Sequence, residues 1–380
     1  MSDPFAAIRP FNDAEVRPTI EGLLRSSDLL TSLLRLRLGD SSRYFAWILR
    51  PLLAAYLRRQ LRDVASVDDL QTKIKRYVER MIDGTTSGFT VSGLEHLDAQ
   101  RAHLFISNHR DITMDPAFAN YALHAAGHRT LRIAIGDNLL TEQWVADLMR
   151  LNKSFIVQRS AKGPRELLAA SKLLSRYIRT SVQTDNEPVW IAQREGRAKD
   201  GIDRTEPAII KMLSLSRDKK NESFGDHIAG LRIVPLAISY ELDPCDDLKA
   251  AELFERSATG SYAKADREDI TSIGRGIAGN KGLVHLAFGT PLGSDLESPE
   301  AVAAAIDDQI FRAYRLRPSN LWAYRQLHGE LGSEPAIAAG SCSAEDFAAR
   351  IAAMPEGHRP FALASYANAL KSYLESAPAS

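Results

Sequence analysis

The stretch HLFISNHRDITMDP, residues 103–116, decides the fold of this chain. It opens on a short apolar run that predicts a buried β-strand over 103–107, and it continues through a polar loop to Asp115 and Pro116. An aspartate followed by proline is typical of a helix start, where the carboxylate caps free N–H groups and proline fits the first turn. A strand that leads into a helix in this way is a unit of an α/β sheet.

Five further runs rich in β-branched and aromatic residues follow, at 131–135, 154–157, 188–192, 232–240 and 283–289. Helical periodicity fills the intervals at 142–151, 164–179 and 206–216. Strands that are apolar almost throughout are typical of a sheet covered on both faces. We therefore expect an α/β fold with a central, mostly parallel or mixed sheet flanked by helices.

Both ends of the chain are predicted to be helical. Leucines recur at three- and four-residue spacing before residue 86, and alanine-rich helical patterns replace the strands after about residue 295. The sequence thus predicts three parts: a helical N-terminal region over 1–85, an α/β domain over 86–295 and a helical C-terminal region over 296–380.

The composition excludes several classes of protein. The 380 residues include 48 Lys+Arg, 48 Asp+Glu and 44% hydrophobic residues, which is typical of a globular chain with a sizeable core. A net charge of zero argues against a dedicated nucleic-acid binder. Two distant cysteines indicate neither a disulfide framework nor a zinc site. No signal peptide is visible, and Arg50 interrupts the longest apolar stretch at 44–57, so we expect a cytoplasmic protein without a membrane span.

His109 and Asp115 are the first candidates for chemistry. Both lie on the turn between the predicted strand and helix, so their side chains can converge without helical spacing. An imidazole that a carboxylate holds by one nitrogen is a general base able to deprotonate a hydroxyl group. The alternative is that Asp115 only caps the helix and that His109 is an ordinary polar loop residue.

Cations follow two other predicted strands. Arg159 follows the run at 154–157, and the run at 188–192 leads into a turn that carries Arg194, Glu195, Gly196 and Arg197. Guanidinium groups bind phosphate through paired hydrogen bonds, and glycine lets backbone approach an anion closely. Either segment could instead be a solvated charged loop.

These segments, with Pro235 inside the strand at 232–240, resemble in their order the glycerophospholipid acyltransferase superfamily. That superfamily has a strand followed by NH-x(4)-D, a strand ending in arginine, a strand followed by EGTR, and a strand with a central proline. Similar stretches at 91–97, 136–140 and 282–292 extend the resemblance, which covers about residues 88–293. Two departures stand out. One extra residue separates His109 from Asp115, which leaves Asp111 as a competing partner, and the third block reads EGR.

The resemblance implies transfer of a fatty acyl group from acyl-CoA or acyl-carrier protein to 1-acylglycerol-3-phosphate or glycerol-3-phosphate. It implies His109 as general base, with Asp115 preferred as its partner because Asp115 stands at the loop-to-helix junction. The acceptor-site residues implied are Arg159, Arg194 and Arg197 on the phosphate, with Glu195 and Gly196 shaping the site and Pro235 near the acyl chain. No metal ion or organic cofactor is implied.

Lipid substrates imply peripheral contact with the cytoplasmic face of a membrane. Residues 21–62 hold eight arginines against three acids, interleaved with leucines and aromatic residues, as in helices that bind anionic lipid surfaces. The same pattern also fits a helical cap whose leucines pack on the core. Two other functions stay open: a catalytically silent lipid- or acyl-binding relative, and a thioester hydrolase.

Overall fold

The structure is a computed structural model that describes residues 3–39, 44–140, 142–265 and 268–376. The strands of these residues are β1 (Gly88–Ser92), β2 (Leu104–Ser107), β3 (Arg132–Gly136), β4 (Ser154–Val157), β5 (Val189–Ala192), β6 (Ile233–Tyr240) and β7 (Leu283–Phe288). Their helices begin with α1 (Asp13–Leu23), α2 (Ser27–Leu38), α3 (Ala46–Gln60), α4 (Val67–Thr85), α5 (Met114–Ala125), α6 (Gln143–Leu151), α7 (Pro164–Gln183) and α8 (Pro207–Leu213). The remaining helices are α9 (Phe224–Gly230), α10 (Asp246–Thr259), α11 (Glu268–Ala278), α12 (Pro299–Ala313), α13 (Pro318–His328), α14 (Ala344–Ala352) and α15 (Arg359–Ser376).

The chain forms two compact units. The first unit comprises Met1–Tyr77 and Leu131–Tyr177, and the second comprises Val78–Thr130 and Ile178–Ser380. Each unit is therefore built from segments that are distant in the sequence.

The second unit contains a mixed sheet with the strand order β1, β7, β6, β2, β5. β6 pairs with β2 in parallel and β2 pairs with β5 in parallel, whereas β6 and β7 are antiparallel. All eight residues of β6 and all four of β2 are buried, as expected for strands with covered faces. Because β2 and β5 are parallel and Ser107 lies opposite Ala192, the loops after both strands leave the same edge of the sheet.

The C-terminal helices of this unit pack against α10 and against one another. Their apolar cluster includes Ala250 on α10, Ala323 on α13, Phe347 on α14 and Tyr366 on α15. Ion pairing extends this contact, since Arg350 donates to both carboxylate oxygens of the buried Asp246 at 2.6 and 2.9 Å. The helical C-terminal region is thus packed within the same compact unit as the mixed sheet.

The first unit packs helices with a pair of parallel strands. β3 and β4 pair in the register Ile133 to Ser154. The apolar cluster of this unit joins α1 and α2 to α6 through Val16, Ile20, Leu29 and Leu151, each of which is buried. The helical start of the chain expected from the leucine spacing is confirmed over the described residues.

The sequence-based expectation of an α/β fold with helical ends is confirmed, and its strand assignments at β2 to β7 agree within one residue at every end. β1, which is only half-buried, and the helices α9, α10 and α11 are not predicted by the sequence patterns. The three-part division at residues 85 and 295 stays a prediction. Within the described ranges, no helix is both long enough and apolar enough to span a membrane.

Candidate active site

The loop after β2 begins with a buried anchor, Asn108. Its Oδ1 accepts from the Ile238 backbone N–H at 2.8 Å, and its Nδ2 donates to the Ile238 carbonyl at 3.0 Å. Nδ2 also donates to Asp203 Oδ2 at 3.1 Å. The side chain thereby ties the end of β2 to β6 and directs the next residue, His109, out of the sheet.

His109 lies against Asp115. The distance from His109 Nδ1 to Asp115 Oδ2 is 2.9 Å, and the Asp115 carboxylate is buried. Asp115 Oδ2 also accepts from the backbone N–H groups of Arg110 at 2.6 Å and Asp111 at 2.9 Å. The loop therefore wraps around this carboxylate, which accommodates the extra residue between His109 and Asp115.

Asp111 has a different set of contacts. Its Oδ1 accepts from the backbone N–H groups of Thr113 at 2.9 Å and Met114 at 2.8 Å, which caps the start of α5. Burial raises the pKa of Asp111, and the charge of Asp115 raises it further. The helix-capping role that the sequence allowed for Asp115 is thus performed by Asp111 in the structure.

The second oxygen of Asp115 accepts from a tyrosine. Tyr240 at the end of β6 donates its hydroxyl to Asp115 Oδ1 at 2.7 Å. Burial, followed by the charge of Asp115, raises the pKa of Tyr240 well above its ordinary value, so this phenol stays protonated. Sequence reasoning missed Tyr240, although its place at the end of a predicted strand was a usable signal.

A buried ion pair between Arg110 and Asp203 stabilises the loop that carries His109. The Arg110 guanidinium donates to Asp203 Oδ2 at 2.5 Å and to the carbonyls of Gly201 and Ser365, both at 3.1 Å. Since Ser365 belongs to α15, the C-terminal helix contacts the residue next to His109 in the chain. Sequence reasoning missed this contribution as well.

The imidazole of His109 retains access to the surface. Its side chain is 14% exposed, and its ring meets Trp190 edge to face at 5.7 Å between centroids. The Trp190 indole N–H of β5 donates to Ser107 Oγ at the end of β2 at 3.1 Å, which fixes the indole. The imidazole is therefore partly accessible while its Nδ1 faces Asp115.

The cationic turn after β5 runs beside this loop. The Ala198 backbone N–H donates to the His109 carbonyl at 2.8 Å, and Gly196 adopts a φ of 72°, in the left-handed region that favours glycine. Arg197 Nη2 reaches Ser272 Oγ at 3.4 Å, and Glu195 is exposed. Within the described part of the chain, Arg197 Nη1 and Arg194 Nε are buried atoms that make no hydrogen bond. The two guanidinium groups therefore keep hydrogen-bonding capacity that the described residues do not use.

Arg159 belongs to the first unit. It follows β4, and its backbone N–H donates to Asp137 Oδ1 at 3.1 Å. A methyl group at Gly136 would lie 3.1 Å from Arg159 Nε, so the guanidinium group of the arginine lies against this glycine. The segment at 136–140 noted in the sequence thus holds Arg159 in place within its own unit.

Pro235 is the third residue of β6 and lies opposite Ile106 of β2. Its carbonyl accepts from the Gly289 backbone N–H at 2.8 Å. β6 has neighbours on both sides, so Pro235 is not on an edge strand, and it precedes the pairing of Leu236 with Phe288. The proline is tolerated near the start of this strand, one of the positions expected for it.

A surface groove of about 660 Å³ lies between the end of α4, β1 and the second half of α5. Its lining combines polar groups with the apolar side chains Ile82, Phe89, Val91, Leu94 and Tyr121. Phe89 contacts Phe118 at 4.9 Å, and Phe118 contacts Tyr240 at 6.0 Å between ring centroids. A chain of aromatic contacts therefore connects the groove with the tyrosine behind Asp115.

One family model matches part of the chain. Residues 88–238 match the model of the Acyltransferase family, and this segment contains β2, the His109 loop and the cationic turn. The matched segment also contains all four of the sequence blocks described above.

A solved structure shares similarity with most of the chain. It is the 1-acyl-sn-glycerophosphate (LPA) acyltransferase PlsC from Thermotoga maritima, at 12% identity and a TM-score of 0.39. The alignment covers 77% of this chain and 94% of the PlsC chain. Among curated proteins, none matches.

Proposed function

We propose that this protein transfers a fatty acyl group from the thioester of acyl-CoA or acyl-carrier protein to a hydroxyl of 1-acylglycerol-3-phosphate or glycerol-3-phosphate. The observation that carries the proposal is the 2.9 Å contact between His109 Nδ1 and the buried Asp115, with the imidazole partly exposed. This pair can activate a hydroxyl group that the substrate supplies.

The proposed reaction needs no acyl-enzyme. His109 Nε2 takes the proton of the acceptor hydroxyl as its oxygen attacks the thioester carbonyl, and Asp115 stabilises the resulting imidazolium. The tetrahedral intermediate then collapses, the C–S bond breaks and the thiolate leaves with the proton from the imidazolium. The products are an ester and a free thiol.

The acceptor phosphate would bind to the arginines. Buried Arg197 Nη1 and Arg194 Nε support this assignment because they are donors without a hydrogen bond among the described residues. Arg159 is proposed as a third phosphate ligand by resemblance alone. Glu195 and Gly196 would shape the acceptor site, and Pro235 would lie near the acyl chain.

We further propose that the groove beside β1 takes the acyl chain, because its apolar side chains lead by aromatic contacts to Tyr240. Ala125 lines this groove and is exposed, so Ala125→Phe should shorten the preferred acyl chain without loss of folding. Competition between acyl-CoA chain lengths measures this preference. Ala344→Phe, at an exposed helical position of the same unit, is the control. Unchanged chain-length preference in Ala125→Phe would place the acyl chain elsewhere.

Peripheral membrane contact is proposed for α3. Trp47 is 72% exposed and Leu52 is 62% exposed, and Arg50, Arg58 and Arg59 lie on the same helix. Exposed aromatic and apolar groups beside cations favour an anionic lipid surface. Leu57 packs against the apolar cluster of the first unit, so the alternative of a packed cap accounts for part of this helix. Asp40 and Arg43 of this basic segment lie outside the described residues.

Co-sedimentation with phosphatidylglycerol vesicles tests the membrane contact. Trp47→Ser and Leu52→Ser should each reduce binding, whereas Ile270→Ser, at an apolar position on α11 that is 52% exposed, should not. Equal binding by all of these variants and the wild type would contradict the assignment to α3.

One assay tests the reaction. Purified protein receives labelled acyl-CoA with either glycerol-3-phosphate or lysophosphatidic acid, and one acceptor should become acylated by the wild type but not by His109→Ala. Thioester breakdown without a labelled acceptor would indicate a hydrolase. No turnover with either acceptor, or with acyl-carrier protein as donor, would indicate a silent binding relative.

A further inference from the structure

The carboxylate of Asp115 has four hydrogen-bond donors that divide unequally between its oxygens. Oδ2 accepts from His109 Nδ1 and from the backbone N–H groups of Arg110 and Asp111. Oδ1 accepts from Tyr240 at 2.7 Å. Because the carboxylate is buried, an oxygen without a donor would be costly, so the phenol contributes to the orientation of the whole group.

Tyr240 is itself held rigidly. It ends β6, which pairs with strands on both sides, and its ring meets the Phe118 ring at 6.0 Å. Phe118 is on α5, one turn beyond Asp115. The phenol and the carboxylate therefore sit on two elements that are packed against each other, and rotation of the carboxylate would break the bond to Tyr240.

We propose that Tyr240 is a positioning residue for the transfer reaction: its hydroxyl locks the Asp115 carboxylate so that Oδ2 faces His109. This inference rests on the proposed function, since it assigns Tyr240 a role through the general base. Tyr240 touches no substrate in this role. It acts on Asp115, which in turn orients the imidazole.

Tyr240→Phe tests the proposal, because it removes only the hydroxyl and keeps the ring against Phe118. The expected result is a fall in kcat of about ten- to a hundred-fold, the rate equivalent of one hydrogen bond to a charged group, with KM for donor and acceptor nearly unchanged. Tyr366→Phe is the matched control. Tyr366 is also buried and donates to a buried carboxylate, Asp246, at 2.7 Å. That control should keep the wild-type kcat.

Two measurements separate positioning from general loss of stability. In an Asp115→Asn background, Tyr240→Phe should have little further effect on kcat, because the carboxylate on which it acts is gone. The NMR resonance of the proton on His109 Nδ1, recorded without substrate, should broaden or shift in Tyr240→Phe and stay unchanged in Tyr366→Phe. The thermal unfolding midpoint of each variant is measured first, and all assays are run below the lowest midpoint.

The outcomes distinguish this inference from the proposed function. A wild type that acylates neither acceptor overturns the proposed function, and the NMR comparison then still tests the contact between Tyr240, Asp115 and His109. An active wild type whose Tyr240→Phe variant keeps full kcat and an unchanged Nδ1 proton signal overturns the positioning role. An equal loss in Tyr240→Phe and Tyr366→Phe, or full additivity with Asp115→Asn, overturns it as well.

Discussion

Replacing Asp115 by asparagine removes one charge from the candidate active site and little else. The amide oxygen can take the place of Oδ2 and accept from His109 and the two loop N–H groups, while the amide N–H₂ faces the Tyr240 hydroxyl, which can accept. The loop should therefore keep its shape. What disappears is the attraction between the carboxylate and the imidazolium that forms when His109 takes a proton.

The size of the effect follows from the geometry. His109 Nδ1 and Asp115 Oδ2 are 2.9 Å apart, and the carboxylate is buried. Two unit charges centred about 4 Å apart interact by about 4 kcal/mol at an effective dielectric constant of about 20. That energy corresponds to about 10³ in rate, and partial exposure of the imidazole reduces it, so we expect kcat to fall by about 10²- to 10³-fold.

Asp111→Asn is the matched control. Asparagine caps helices as well as aspartate does, and its side-chain oxygen can accept from Thr113 and Met114 as Oδ1 of Asp111 does. We expect kcat within about threefold of the wild type in the acyl-CoA assay, since the variant keeps the cap at the start of α5. An Asp115→Asn enzyme with wild-type kcat, or an Asp111→Asn enzyme that loses as much as Asp115→Asn, would refute the assignment of Asp115 as the partner of His109.

Three other predictions concern substrate binding, stability and pH. Arg197→Ala should raise KM for the phosphate acceptor by about tenfold or more and leave KM for acyl-CoA unchanged, because a bound phosphate loses a charged donor. Equal changes in the two KM values would contradict this role. Asp203→Ala should lower the free energy of urea unfolding by about 3–5 kcal/mol, because it leaves Arg110 buried without its carboxylate; a loss below about 1 kcal/mol would show that water or other groups replace the pair. Burial lowers the pKa of His285 to about 4. Between about pH 6.5 and pH 4 the unfolded chain therefore takes up a proton that the folded chain does not, and the folded state loses stability as the pH is lowered through that window. Between pH 7 and pH 5, the His285→Gln variant should lose about 2 kcal/mol less stability than the wild type, and a parallel pH dependence of the two would contradict the buried neutral histidine.

Most strands of this protein were predictable because each is a continuous apolar run. β6 and β2 are buried along their whole length, so every position selects an apolar or small residue and the pattern is visible locally. β1 was missed because it is half-exposed and carries polar residues, and its strand conformation depends on pairing with β7, 195 residues later in the chain. Edge strands of this kind are defined by their partner more than by their own residues.

The sequence by itself determined the α/β class, the loop that carries His109 and the cationic turn after β5, because strand ends and their polar loops are local features. Only the tertiary structure decided which aspartate faces the imidazole. Asp111 and Asp115 are both within reach of His109 along the chain, and the choice depends on how the loop backbone wraps around one carboxylate. The tertiary structure also supplied Tyr240, which is 125 residues from Asp115 in sequence. Contacts at such separation depend on how strands pair and helices pack, and no local pattern encodes them.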